Sequence, residues 1–402
     1  MRQFQRHVDA MAKAPTAANM RRVVGAAARG HLLDADLAYL ASLLAGSGRT
    51  RPRACNATTA DVPSSGGPSS LTTLLCPLHL RALGFVVPKL GVPGRPAGGI
   101  DVMAQIPGYR ATFTGAEFNS ILAKVGYAHC LAQDDLASLD ARFFDFRQSV
   151  GAQSMTELAI ASILAKKLAL GVKHVALDVR VAAHGNFGTT WAIARENAKR
   201  FCRVSRLIGI HSVCVLTDGS VPCQPFLGRG ESLWALHDVF EGTACPLLNA
   251  HANLCFRVAA AAVGGCTDSQ PGRTRLKTVF SEHVVAQGSD YFSFEKKVDQ
   301  VRRSSRFAVL AQQEGFLKID LGALRSILVD IQTRSRSKGS FPDPCGLILR
   351  LPAGAYVWRG DVVASARMPH ADWRTYRDRL AEAFGRAQSA GAGRFYEEVH
   401  HG

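Results

Sequence analysis

Arg147, Ser162 and Lys166 stand in the stretch FRQSVGAQSMTELAIASILAKKLALGVKHVALDVR, where an apolar helical pattern gives way to a strand-like HVALDVR. Ser162 and Lys166 are four positions apart, so on a helix they lie one above the other on a single face. A hydroxyl and an ammonium so placed can both reach one polar ligand, with Ile160, Ile163, Leu164 and Leu168 supplying apolar packing. Arg147 lies fifteen positions before Ser162, near the end of an FFDFR segment. The same spacing also fits a solvated helix face carrying Lys166 and Lys167. Spacing alone leaves both readings open.

A second candidate is SSGGPSSLTT, residues 64–73, which sets six hydroxyls and flexible backbone just ahead of a helical pattern. Free backbone N–H groups and a helix start both favour negative charge, so such a loop can hold an anion. Ser/Gly/Pro clusters also serve as plain linkers. His184, in VAAHGNFGTT, follows a strand-like run, and α/β proteins place ligands at the carboxyl ends of their strands. A structural histidine fits that position as well. The basic runs RTRPR (49–53), RLK (275–277), VRRSSR (301–306) and RSRSK (334–338) lack interleaved aromatics, so they read as solvated faces and argue against nucleic acid as a partner. GVPGRPAGG lacks the G-x-G-x-x-G spacing of a dinucleotide fingerprint.

These groups need a scaffold, and the chain is long enough to supply one. Its 402 residues are 47% hydrophobic, enough for a large core and more than one lobe. Lys and Arg number 48 against 32 Asp and Glu, a formal charge of +16 that favours acidic partners or anionic substrates. Ten cysteines form no C-x-x-C pair and no zinc spacing, so reduced thiols in a cytoplasmic protein are expected. The first residues lack the apolar stretch of a secretory leader, and no apolar run is long enough for a membrane span.

Residues 20–46 predict two helices, the second capped by Asp34, and residues 47–70 a loop or hinge. From Leu71 helix and strand patterns alternate: LTTLLCPLHLRALG, FVVPKLG, TGAEFNSILAKVG, YAHCLA, HVALDVR, TTWAIARENAKRFCRVSRLIG, HSVCVLT and RGESLWALHDVFEG. That order predicts an α/β sheet flanked by helices. After Ser335 short β-like segments separated by Gly and Pro suggest a β-rich appendage, closed by an amphipathic helix over WRTYRDRLAEAFGRAQ.

Taken in order, IPGYRATFTGAEFNSILAKVG, the FFDFRQSVGAQSMTELAIASILAKKLALGVKHVALDVR block, GNFGTT, VLTDGSVPCQPFLGRGESL, QEGFLKIDLGALRSIL and DPCGLILRLPAGAYVWRGDVVA resemble the thymidine and pyrimidine nucleoside phosphorylase family from about residue 30 onward. The turn PKLGVPGRPAGGIDVM is locally similar to anthranilate phosphoribosyltransferases, which share that architecture. The resemblance implies a mixed α/β fold in which a small helical domain (residues 1–55 and 131–171) is hinged to a large α/β domain (56–130 and 172–333). A C-terminal β-rich α+β region (334–402) completes it.

It further implies that Arg147, Ser162 and Lys166 hydrogen-bond the base, that Ser64, Ser65, Gly67, Thr73 and Lys89 hold phosphate, and that His184 and Phe187 lie near the base or sugar. The implied reaction is reversible phosphorolysis of a pyrimidine nucleoside to free base and a pentose 1-phosphate. Phosphate would be the co-substrate, with no cofactor or metal, and the chain would form a homodimer. The family's loop lysine and histidine are replaced by Val62 and Pro63, and Trp234 stands where some members carry an acidic residue near a structural cation. Those departures keep three alternatives in view: a nucleotide substrate, a different acceptor such as water, or a non-catalytic pyrimidine-binding protein.

Overall fold

The computed structural model describes residues 3–30, 32–48, 58–94, 96–132, 136–183, 185, 187–265, 269–335, 341–387 and 396–399. Continuous apolar runs, rather than alternating ones, mark strands covered on both faces. HVALDVRV has such a run in its first half, and in the strand His174–Val181 every residue after the first is buried, the charged Asp178 and Arg180 included. It pairs in parallel with His211–Asp218 along its whole length and, on its other side, with Ala60–Asp61. A parallel bridge from Thr59 to Val86 joins the pair Val87–Gly91 and Tyr127–Leu131 to the same layer. Tyr396–Val399 adds an antiparallel far edge on His211–Asp218, although sequence pattern assigned those residues to the C-terminal appendage.

Side chains of successive strand residues point to opposite faces, and two apolar cores follow from that. Leu177 and Val179 face the helical lobe, where they meet the cluster containing Leu37, Leu40, Leu44 and Leu164. Ala176, Val213 and Val215 face the other way, into a cluster with Leu75, Leu236, Val258 and Phe280. The helical lobe is assembled from Gln3–Lys13, Ala17–Ala28, Asp34–Ala45, Ser138–Ser149 and Thr156–Ala169. Asp34 is the first residue of its helix and Leu33 the cap, whose N–H is taken by the Asp36 carboxylate at 3.0 Å.

A third core belongs to the C-terminal part, whose strands start at Phe307, ahead of residue 334. Four antiparallel strands run in the order Phe226–Gly228, Gly346–Leu349, Val362–Arg367 and Phe307–Leu310. A smaller sheet of Tyr356–Val357, Gly315–Ile319 and Phe384–Ala387 joins them. The closing helix is shorter than its sequence pattern: His370–Glu382 ends before Phe384, where the chain becomes a strand. The helix Leu321–Ser335 of this part reaches back to the α/β body, because buried Gln332 donates to the Pro96 carbonyl at 2.7 Å.

The basic runs are not uniformly solvated. Arg302 bonds Asp238 at 2.7 Å and its guanidinium carbon lies 5.3 Å from the Trp234 ring centroid. Arg306 bonds buried Glu231 at 3.1 Å and sits 5.5 Å from the same ring. Two arginines therefore cover Trp234. RTRPR lies outside the described residues.

Candidate active site

A cleft of about 430 Å³ opens between the helical lobe and the loop ends of the sheet. One wall comes from the helix Thr156–Ala169 and the end of Ser138–Ser149; the other from the loop 63–73 and the glycine turn 91–99. Arg147, Ser162 and Lys166 line it together with Ser64, Ser65, Gly67, Thr73 and Lys89. Both predicted groups thus face one space. His184 lies outside the described residues. Phe187 does not line the cleft: it is fully buried and packs edge-on against Phe201 at 6.2 Å, because its ring is taken up by the first apolar core.

The helical wall is not a solvated face. Arg147, Ser162, Lys166 and Lys167 are 2, 3, 6 and 3% exposed. Lys166 Nζ donates to Asp140 Oδ2 at 2.6 Å, to Ser162 O at 2.9 Å and to Ser162 Oγ at 2.8 Å. An ammonium has three donors, so the Lys166–Ser162 pair is fixed in place, and the Ser162 hydroxyl, an acceptor here, keeps its own hydrogen for a ligand. Arg147 donates to the carbonyls of Ala152, Leu158 and Gln153 at 3.4, 3.1 and 3.2 Å, tying the turn between the two helices. Burial pushes its guanidinium down to about 10, against the pull of Asp140, so it stays charged at neutral pH. Phe144, whose ring centroid lies 5.9 Å from Lys166 Nζ, and Ile163 add apolar surface to the same wall.

The opposite loop is zipped to the strand His174–Val181: Ser65 N donates to Asp178 O at 2.8 Å, Asp178 N to Pro63 O at 2.9 Å, and Arg180 N to Ser65 Oγ at 2.8 Å. Gly66 and Gly67 turn the chain at φ of 98° and 149°, a conformation that favours glycine. Beneath the loop the buried Asp178 carboxylate accepts from Ser64 at 2.9 Å, Thr72 at 2.8 Å and Thr217 at 3.2 Å. Ser64 is thereby a structural donor. Ser65 is different, since its oxygen accepts from Arg180 N and, among the described residues, its hydrogen has no acceptor and is open to a ligand.

Val62 fills the second core instead of the cleft. The charge expected at that point of the loop is delivered from elsewhere: Lys89 Nζ sits 2.9 Å from Val62 O and 2.7 Å from Asp61 Oδ1. Lys167 Nζ bonds Asp61 Oδ2 from the other side. Burial alone would raise the Asp61 pKa, but Lys167 and Lys89 overcome it and hold the carboxyl well below its usual range. Burial pushes Lys167 down to about 8, with Asp61 opposing the fall. His129, also in the lining, is kept neutral by burial and by the nearby Lys89.

Sequence spacing passed over Lys167, Asp61, Asp140, Asp178, His129 and Arg325. Lys167 was in view beside Lys166, but helical geometry puts adjacent residues about 100° apart, so its burial on a second face carries no periodic signal. Among the described residues that line the cleft are five cations, Lys89, Arg147, Lys166, Lys167 and Arg325, and no Asp or Glu. Such a space attracts anions, and its donors can stabilise negative charge on a departing group.

No protein-family profile matches the chain. Among the described residues, no helix is long and apolar enough to cross a membrane, and no group of three or more His, Cys, Asp or Glu is placed to hold a metal ion. Among solved structures, anthranilate phosphoribosyltransferase from Thermus thermophilus matches with a TM-score of 0.52 and 14% identity, over 74% of this chain and 94% of that one. The chain therefore shares the fold of that phosphoribosyltransferase, a helical lobe set against a mixed α/β body.

Proposed function

We propose that the protein transfers a pentosyl group between a pyrimidine base and phosphate, most simply by phosphorolysis of a pyrimidine nucleoside. The base lies against Phe144 and Ile163, with its carbonyl edges toward Ser162, Lys166 and Arg147. Phosphate lies against Ser65, Thr73 and the Lys89–Lys167 pair. A phosphate oxygen attacks the anomeric carbon as the bond from that carbon to the base nitrogen breaks. The bonding pair leaves with the base, which then takes up a proton, and the sugar departs as its 1-phosphate.

Cationic and hydroxyl donors aimed at the leaving base lower the barrier, because they act where negative charge develops in a site sheltered from water. Holding both reactants in one cleft supplies the rest through orientation. The observation that carries this reading is the described lining itself: five cations, no carboxylate, and the apolar side chains Phe144 and Ile163 in the same cleft as the two donor sets.

The test is incubation of the purified protein with uridine, thymidine or cytidine, with and without inorganic phosphate, and chromatography of the products. Free base together with sugar 1-phosphate, formed only when phosphate is present, is the expected result. Base release that ignores phosphate would replace phosphorolysis with hydrolysis. Ligand binding with no product from any nucleoside would make the protein a pyrimidine binder.

A further inference from the structure

Four of the five cations in the cleft are already engaged: Lys89 and Lys167 on Asp61, Lys166 on Asp140, Arg147 on backbone carbonyls. Arg325 is the exception. It is exposed and, among the described residues, makes no hydrogen bond or ion pair. It enters the lining from the C-terminal part, on the helix Leu321–Ser335. Arg325, Val329 and Gln332 are four and three positions apart and so share one face. That face looks at the cleft: Val329 lines it beside Arg325, and Gln332 is anchored to the Pro96 carbonyl of the glycine turn.

The turn is fastened a second time by Arg229, which donates to Gly94 O at 3.3 Å and to Asp101 at 2.9 Å while also holding the Pro342 carbonyl. Arg325 is therefore presented by a braced helix. At the other end of the same helix Arg334 has ordinary surface partners, Asp372 at 2.8 Å and the Tyr376 hydroxyl at 2.9 Å. An exposed guanidinium with no partner among the described residues is free to take an anion, and its planar fork matches the oxygens of a phosphate monoester.

We infer that Arg325 receives a second anionic group, carried by the pentosyl donor, and that the preferred donor is a nucleoside 5′-monophosphate. This rests on the pentosyl-transfer reading of the cleft. The loop side and the base wall each have their own donors; Arg325, from a third element, is left for the remaining end of the donor, the 5′ position of the sugar. It is a specificity residue and touches no reacting atom.

The experiment compares uridine, thymidine and cytidine with their 5′-monophosphates, for the wild type, Arg325→Ala and Arg325→Lys. The readouts are kcat/KM for base release and, by calorimetry, dissociation constants. The wild type is expected to prefer the monophosphate, and Arg325→Ala to lower that preference about 10- to 100-fold, the scale of a charge-assisted contact. Arg325→Lys should fall between, since it keeps charge but loses the fork.

A wild type with no preference for the monophosphate, or an Arg325→Ala variant that retains it, overturns the inference. Inorganic pyrophosphate is included as a probe: if Arg325→Ala weakens pyrophosphate in place of the monophosphate, the second anion belongs to the acceptor and the assignment falls. Absence of base release from every compound would defeat the transfer reading alone, because the ratio of dissociation constants still decides for or against Arg325. Failure of all the monophosphates to bind overturns both.

Discussion

Two buried ion clusters in this molecule use the same kinds of charge for different ends. Where the helix Arg229–Glu241 meets the C-terminal part, Glu231, fully buried, takes Arg367 Nε and Nη2 at 2.7 Å each and Arg306 at 3.1 Å. Arg367 also holds Asp343 at 2.8 Å. Burial works against the Arg367 charge, but Glu231 and Asp343 outweigh it and raise its pKa. At the cleft, Asp61 holds two lysines, one of them with its pKa lowered to about 8 by burial.

The difference lies in geometry and access. Arginine forks lock a carboxylate bidentately, and Gly346 is packed so tightly on Glu231 that a Cβ there would lie 1.8 Å from a carboxylate oxygen. Lysines are point charges on flexible stems. Two of them on one carboxylate leave a net positive charge facing a cavity. The first cluster is a rivet between the helix Arg229–Glu241 and the C-terminal sheet. The second is a charge reservoir that an anion can draw on.

The largest effect should come from breaking the rivet. Arg367→Ala leaves Glu231 buried with only Arg306, and removing one partner of a buried pair costs about 3–5 kcal/mol. Urea unfolding should show that loss; a change below about 1 kcal/mol would mean the cluster does not hold the two parts together. Next in size is Lys166→Met. Turnover should fall about 10²- to 10³-fold, the scale of losing one group that stabilises a developing anion, here by the Lys166 charge and by the Ser162 hydroxyl that it orients.

Stability should fall as well, since Asp140 then loses its cation and its Oδ1 already has no hydrogen-bond partner among the described residues. The double variant Lys166→Met with Asp140→Asn should recover stability without recovering turnover. Recovery of both would show that Lys166 only neutralises Asp140.

Lys167 separates the two clusters by pH. Its folded pKa, about 8, lies below the ordinary lysine value, so it is charged below pH 8 and loses its proton as the pH rises through that value. Phosphate affinity measured by calorimetry should therefore weaken between pH 7 and 9, and Lys167→Met should flatten that slope. Folding stability moves the other way in the window from about pH 8 to the unfolded lysine value near 10.4: the unfolded chain there binds a proton the folded chain lacks, so stability from this group rises with pH. A pH-independent phosphate affinity in the wild type would remove Lys167 from the anion site.

Much of this arrangement can be read in the sequence, for physical reasons that also set the limit. HVALDVRV and HSVCVLT announce strands because burial on both faces favours short runs rich in apolar residues, and Ser162 and Lys166 share a face because the helix repeats every 3.6 residues. The carboxylates behind the cations carry no such signal. Asp61, Asp140 and Asp178 matter through contacts 26 to 114 positions away, which no local period encodes. Phe187 shows the converse: its neighbouring glycines suggest a ligand loop, while its ring belongs to the core. Arg325 gives no hint at all, being one exposed arginine among many until Gln332 is seen to anchor its helix.

The smallest predicted effect is also the sharpest form of the comparison, because it concerns adjacent residues with the same side chain. Ser64 donates to buried Asp178, whereas Ser65 accepts from Arg180 N. Ser64→Ala removes one of the hydroxyls satisfying a buried carboxylate and should cost about 1–3 kcal/mol of stability. Ser65→Ala removes a hydroxyl whose hydrogen is directed at no protein acceptor among the described residues. Besides the stability lost with the Arg180 N contact, it should show a loss of phosphate affinity of about 2- to 10-fold, the range of a neutral hydrogen bond. Paired unfolding and phosphate titrations of the two variants read both quantities. If Ser64→Ala weakens phosphate more than Ser65→Ala does, the anion sits on the Asp178 side of the loop, and the division between supporting and ligand-facing hydroxyls must be reversed.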